Sequence, residues 1–125
     1  MPALCSYDYA VIRVVPRVER EEFFNVGVIL SCPNFKFLGS RIYLDAEKLK
    51  CFAPLVNVEE VQHFLDIIPK ICAGGEGMIG SLTQRERFYW LTAQRSTIVQ
   101  SSPVHTGLTD DPMATLERLF EKNVK

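Results

Sequence analysis

Three stretches of two-residue alternation, at 7–15, 23–31 and 36–44, are joined by short connections within the first third of the chain. Parallel neighbours need a crossover of a dozen or more residues, so such spacing admits only antiparallel pairing. The three segments therefore predict an antiparallel meander. In YDYAVIRVV, Ala10, Ile12 and Val14 fall on one face and Tyr7, Tyr9, Val11 and Arg13 on the other. Pro16 is expected to end this strand, with RVEREE as the connection. In FFNVGVILS, Phe24, Val26, Val28 and Leu30 alternate with Asn25, Gly27, Ile29 and Ser31. Cys32, Pro33 and Asn34 supply a turn. In KFLGSRIYL, Leu38, Ser40, Ile42 and Leu44 alternate with Phe37, Gly39, Arg41 and Tyr43.

Aligning these faces gives an aliphatic side that should pack under helices. The opposite side collects Tyr7, Tyr9, Arg13, Asn25, Gly27, Gly39, Arg41 and Tyr43. That set is too polar for a plain core and too aromatic for plain solvent. Its glycines leave room for close approach of a backbone or ligand.

Helices follow the meander. Asp45 caps a short one that runs to Phe52 and stops before Pro54. Asn57 and Glu60 have capping-box spacing and open a helix to Cys72, with Val61, Phe64, Leu65, Ile68 and Ile71 as its apolar stripe. Pro69 should kink or interrupt it. AGGEGMIGS reads as a glycine-rich helix–helix loop. It lacks the Gly-Lys-Ser/Thr ending of a phosphate cradle and follows a helix instead of a strand. Thr83 and Glu86 form a second capping box for a helix to Ala93. Residues 96–100 form a short candidate strand, and Asp111-Pro112 starts a last helix to Asn123 that buries Met113, Leu116, Leu119 and Phe120. The expectation is an α+β fold of one domain spanning 1–125: a small antiparallel sheet, the three-stranded meander plus a short fourth strand at 96–100, against about four helices.

Composition excludes several function classes. With 14 basic and 15 acidic residues the net charge is −1, which argues against nonspecific nucleic-acid or membrane binding. No apolar run is long enough for a transmembrane helix, and the N-terminus lacks signal-peptide character, so a cytoplasmic location is expected. Cys5, Cys32, Cys51 and Cys72 are widely and irregularly spaced, and only His63 and His105 could join them. Neither a metal site nor a cofactor is expected, and the cysteines read as free thiols.

The chemistry-bearing residues concentrate in RERFYWLTAQRSTIVQSSPVHTGLTDD, from Arg85 to Asp111. Arg85, Arg87, Arg95, Ser96, Thr97, Gln100, Ser102 and His105 are interleaved with Phe88, Trp90, Ile98 and Val99. Arginine offers a planar fork of donors for phosphate or carboxylate. Arg13 and Arg41 share one sheet face on this register; if 95–100 pairs at the sheet edge, Arg95, Ser96 and Thr97 join them. The candidate ligand-binding set is then Arg13, Asn25, Arg41, Arg95, Ser96, Thr97, Gln100, Ser102 and His105. The bland alternative is that each arginine pairs with a carboxylate and positions a loop. His105, a loop histidine, is the weak candidate for acid–base chemistry, with loop closure as its structural alternative. No nucleophile elbow, cysteine signature or spaced carboxylate pair is present.

The segment from Tyr7 to Leu30, containing YAVIRVVPRVEREEFFNVGVIL, together with RERFYWLTAQRSTIVQSSPVHTGLTDDP, resembles the two motifs of the bacterial family called domain of unknown function 3037. With the AEKL segment and the last helix, the likeness covers nearly the whole chain. The family supplies no catalytic residues. Its recurring polar positions match Arg13, Arg17, Glu19, Asn25, Gly27, Arg85, Arg95, Ser96, Gln100, Ser102, Pro103 and His105. Its members are often encoded beside a HipA-like kinase, which implies a partner in such a module.

Two functional readings follow. The first is a non-enzymatic accessory or binding protein that holds a protein partner or an anionic ligand on the polar sheet face. The second is an enzyme for a phosphate-containing substrate, with His105 as acid–base group and Arg13, Arg41 and Arg95 as clamps. RNA binding on an open aromatic sheet face is a third reading, against which the net charge weighs. A homo-oligomer through Tyr7, Tyr9 and Phe37 is a further expectation.

Overall fold

The computed structural model describes residues 3–17, 22–75, 77–93 and 98–124. The elements follow in the order β1 (Cys5–Arg17), β2 (Glu22–Cys32), a 3-10 turn (Pro33–Phe35), β3 (Phe37–Ile42), α1 (Ala46–Phe52) and α2 (Val58–Ala73). Then come the single-turn α3 (Gly77–Gly80), α4 (Gln84–Thr92), β4 (Val99–Ser101), β5 (His105–Thr109) and α5 (Pro112–Asn123). The fold is α+β, with an antiparallel sheet at its centre ordered β3-β2-β1-β4. The N-terminal meander forms as its alternation predicts.

Of the expected fourth strand at 96–100, residues 96 and 97 lie outside the described residues, β4 runs over Val99–Ser101, and β5 was not anticipated. Both occupy the edge of β1 opposite β2, end to end. β4 pairs Ile12–Val14, and β5 pairs Cys5–Tyr9. Tripeptide 102–104 bridges them without strand geometry.

The sheet is covered on both faces. Under α2 lie Ile12, Val14, Phe24, Val26 and Ile29 with Leu49, Val61, Leu65 and Ile68. Beneath α5 lie Tyr7, Val28 and Leu30 with Leu116, Leu119 and Phe120. The polar, aromatic face of the meander is therefore the floor of α5. Tyr7 is buried there, and Tyr9 and Phe37 pack partly buried against the same cluster.

Strict alternation fails in β2. Ile12 pairs Gly27, but Arg13 already pairs Asn25, so one residue of β2 is extra. Such a bulge flips the alternation beyond it. Phe24 and Val26 join the α2 core, whereas Val28 and Leu30 join the α5 core. Gly27 falls on the α2 face, opposite Ile12 and Ile42, and leaves the polar set. It carries no side chain because a Cβ there would lie 2.7 Å from the carbonyl oxygen of Arg41.

Pro16 does not end β1, which runs to Arg17. It sits within the register shift between Val14 and Arg17, where a missing N–H breaks no regular ladder bond. Pro69 likewise leaves α2 uninterrupted.

The helix starts follow their caps. Asp45, Asn57 and Asp111 each accept from the backbone N–H three residues on, and Thr83 with Glu86 completes a reciprocal box. The glycine-rich connection is not all loop, since it contains α3. Gly74, Gly75 and Gly77 have positive φ, which reverses the chain between α2 and α4. On α5, Met113 is 55% exposed, and Pro112 and Thr115 are buried with Leu116, Leu119 and Phe120. On α2, Phe64 is exposed, whereas Cys72 is buried. Among the described residues, no helix is long and apolar enough to cross a membrane.

Candidate functional site

Much of the polarity between Arg85 and Asp111 holds the fold together. Arg87 donates from Nη1 to the carbonyls of Ile71 and Cys72 and from Nε to that of Leu82. The Ile71 and Cys72 carbonyls lie in the last turn of α2, which cannot satisfy them itself. Ser102 is 2% exposed and lies in the gap between β4 and β5. Its Oγ accepts the Val11 N–H at 2.8 Å and donates to the Pro103 carbonyl at 2.9 Å. Thr109 and Thr115 share a 2.6 Å hydroxyl bond, and Thr109 Oγ1 accepts the Asp111 N–H.

The predicted site residues separate into groups. Arg95, Ser96 and Thr97 lie outside the described residues. Arg41 projects over α5, where its Nε donates to Glu117 at 2.8 Å and its guanidinium covers the Phe120 ring at 4.7 Å. His105 is exposed on β5 opposite Tyr9, their ring centroids 5.3 Å apart. Arg13 is four residues farther along β1, about 13 Å away at strand rise. Arg41 lies across the sheet, three strands from His105 in the order β3-β2-β1-β5, again on the order of 14 Å. His105, Arg13 and Arg41 therefore do not converge on one reacting atom.

Asn25, Arg13 and Gln100 do come together. Asn25 opposes Arg13 across β2 and β1, and Gln100 opposes Arg13 across β4 and β1. Opposed residues of an antiparallel pair point to the same side, so the three form a row across the sheet. The row lies beside the C-terminal end of α5, because Asn25 Nδ2 donates to the Asn123 carbonyl at 3.0 Å. That bond fixes the amide orientation and leaves Oδ1 facing elsewhere.

Two atoms of this row are anomalous. Arg13 Nε and Asn25 Oδ1 are buried, and neither has a hydrogen-bond partner among the described residues. Leaving a buried polar group unpaired costs on the order of 1–3 kcal/mol, more for a charged one. The Arg13 guanidinium lies 4.2 Å from the ring centroid of Phe23, which is 49% exposed. Such stacking orients the arginine but supplies no acceptor. Asn25 also lines a hollow of about 80 Å³ with Tyr43, Asp45, Lys48 and Val124. The roles of Phe23 and Asn123 were not read from the sequence. Strand position 23 offered the only signal, an aromatic two residues from Asn25 on a predicted hairpin arm.

Two of the cysteines, Cys32 and Cys72, sit where burial disfavours the thiolate. Cys32 and Cys72 are buried, and burial pushes the Cys72 thiol up to about 11. No group of three potential metal ligands occurs among the described residues.

Comparison with curated proteins and with solved structures found no match. The family comparison did: residues 9–124 match the model described as "Protein of unknown function (DUF3037)". That span carries all five strands from Tyr9 onward and every helix, and the chain belongs to this family.

Proposed function

We propose that the protein is a non-enzymatic binding protein that holds a protein partner at the sheet end formed by Arg13, Asn25 and Gln100. One observation carries this reading. A buried donor, Arg13 Nε, and a buried acceptor, Asn25 Oδ1, stand on directly opposed residues, and both are unpaired. An inorganic anion would answer only the arginine and would face the asparagine oxygen unfavourably. An amide answers both, because it offers a carbonyl to Nε–H and an N–H to Oδ1. Peptide bonds and Asn or Gln side chains carry that group. The exposed Phe23 beside the arginine adds an aromatic contact of the kind that anchors protein interfaces.

The enzymatic alternative loses support from the separation of His105 from Arg13 and Arg41. The HipA-like kinase implied by the family resemblance is the first partner to test. Capture of the neighbouring kinase-like protein by wild type, and its loss with Arg13→Met, supports the reading. Equal capture by both removes Arg13 from the interface.

A further inference from the structure

On the opposite side of the sheet, α2, α4 and β4 line a partly open cavity of about 150 Å³. Its walls include Phe64, Ile67 and Ile68 from α2, Trp90 from α4, and Val99, Gln100 and Ser101 from β4. Val99 and Ser101 pair with Val14 and Ile12, so both project to the α2 face, away from Gln100. Gln100, which opposes Arg13 in the row, also contributes to the lining of the cavity, whereas Arg13 and Asn25 do not. Well-packed interiors hold few voids larger than a water, and an apolar void of about this size stays dry yet accepts a benzene ring.

We infer that this cavity is a binding site for a small neutral molecule, a ring or branched chain about the size of benzyl alcohol, bearing one hydroxyl or N–H group. The apolar walls select the body of the ligand and exclude a charged head, which would be desolvated without a counterion. Ser101 selects the polar group. Its hydroxyl proton is engaged, donating to the Ser102 carbonyl at 2.8 Å. The remaining lone pairs of Oγ make it an acceptor, so the matching ligand group is a donor. Phe64 lines the cavity from the α2 stripe and is 45% exposed, so it is the lining residue that a ligand can displace on entry.

Trp90 is the chain's only tryptophan, so its emission reports on the cavity directly. Wild type is titrated with benzyl alcohol and with toluene, exciting the indole alone, alongside Ser101→Ala and Ile67→Phe. The expected result is a saturable change with both probes and at least threefold tighter binding of benzyl alcohol. Ser101→Ala should erase that preference while still binding toluene, and Ile67→Phe, which fills the cavity, should weaken both at least tenfold. Linear, non-saturating responses in wild type overturn the site. Equal affinity for the two probes in wild type overturns the role of Ser101. Unchanged saturation in a folded Ile67→Phe protein places the probe elsewhere and overturns the cavity.

Discussion

Ser102 is bonded to Val11 twice: its N–H donates to the Val11 carbonyl, and its Oγ accepts the Val11 N–H, each at 2.8 Å. A regular strand would satisfy Val11 with backbone alone. Here the edge chain leaves the ladder at 102–104, and one hydroxyl replaces the missing carbonyl. Ser102→Ala leaves a buried N–H without an acceptor and should lower unfolding free energy by about 1–3 kcal/mol in chemical denaturation. The Val11 amide should also exchange with solvent much faster than its neighbours in β1. An unchanged exchange rate would deny Ser102 this role.

Gly107 is required by Tyr7. A Cβ at Gly107 would lie 2.5 Å from the Tyr7 hydroxyl oxygen and 2.6 Å from its ring carbon. Tyr7 is buried beneath α5 and has little room to move. Gly107→Ala should cost roughly 1–3 kcal/mol as an overpacked site. Tyr7→Phe, which removes the nearest atom, should recover part of that loss in the double variant, a coupling that a thermodynamic cycle reads directly.

The arginines should rank by what they hold. Arg87 serves three backbone carbonyls, and Arg87→Ala strands those at the end of α2, for an expected loss of about 2–3 kcal/mol. Arg41 and Glu117 are 45% and 44% exposed, so their pair should contribute no more than about 1 kcal/mol in a double-mutant cycle. A reversed ranking would contradict the structural assignment of both.

Cys72 gives the fold a pH limit. Its thiol is held at about 11 in the native state by burial, against an ordinary value of 9.0. Above the ordinary value the unfolded chain releases this proton while the folded chain keeps it. The associated stability is complete below pH 9 and lost progressively up to about pH 11, approaching roughly 2–3 kcal/mol. Cys72→Ala should have lower stability at neutral pH but a flatter profile across that window. The same slope in both proteins would show that other groups cause it.

Periodicity and caps made most of the fold legible. The meander needed only alternation and short connections. Asp45, Asn57, Thr83 and Asp111 announced four helices through side chains that bond where expected. What alternation could not reveal was the extra residue in β2, since a bulge leaves no compositional mark when Asn25, Val26 and Gly27 all suit a strand. That single residue moved Gly27 and Ile29 to the α2 face and Val28 and Leu30 to the α5 face, and so hid the second core under α5. For the site, the pairing of Arg13 with Asn25 survived the error, because both lie on the far side of the shift. The separation of His105 from Arg13 was not legible, because β4 and β5 share one edge of β1 and spread their residues along it. Nearness in sequence became distance along a strand.

On the proposed function, the unpaired buried groups of Arg13 and Asn25 serve a partner and not the fold. Arg13→Met keeps the apolar stem and removes the orphaned donor, so stability and binding should move apart. The expected result is a melting temperature equal to or above that of wild type, with capture of the kinase-like protein reduced at least tenfold. A melting temperature several degrees lower, with partner capture intact, would contradict it and make Arg13 a structural residue.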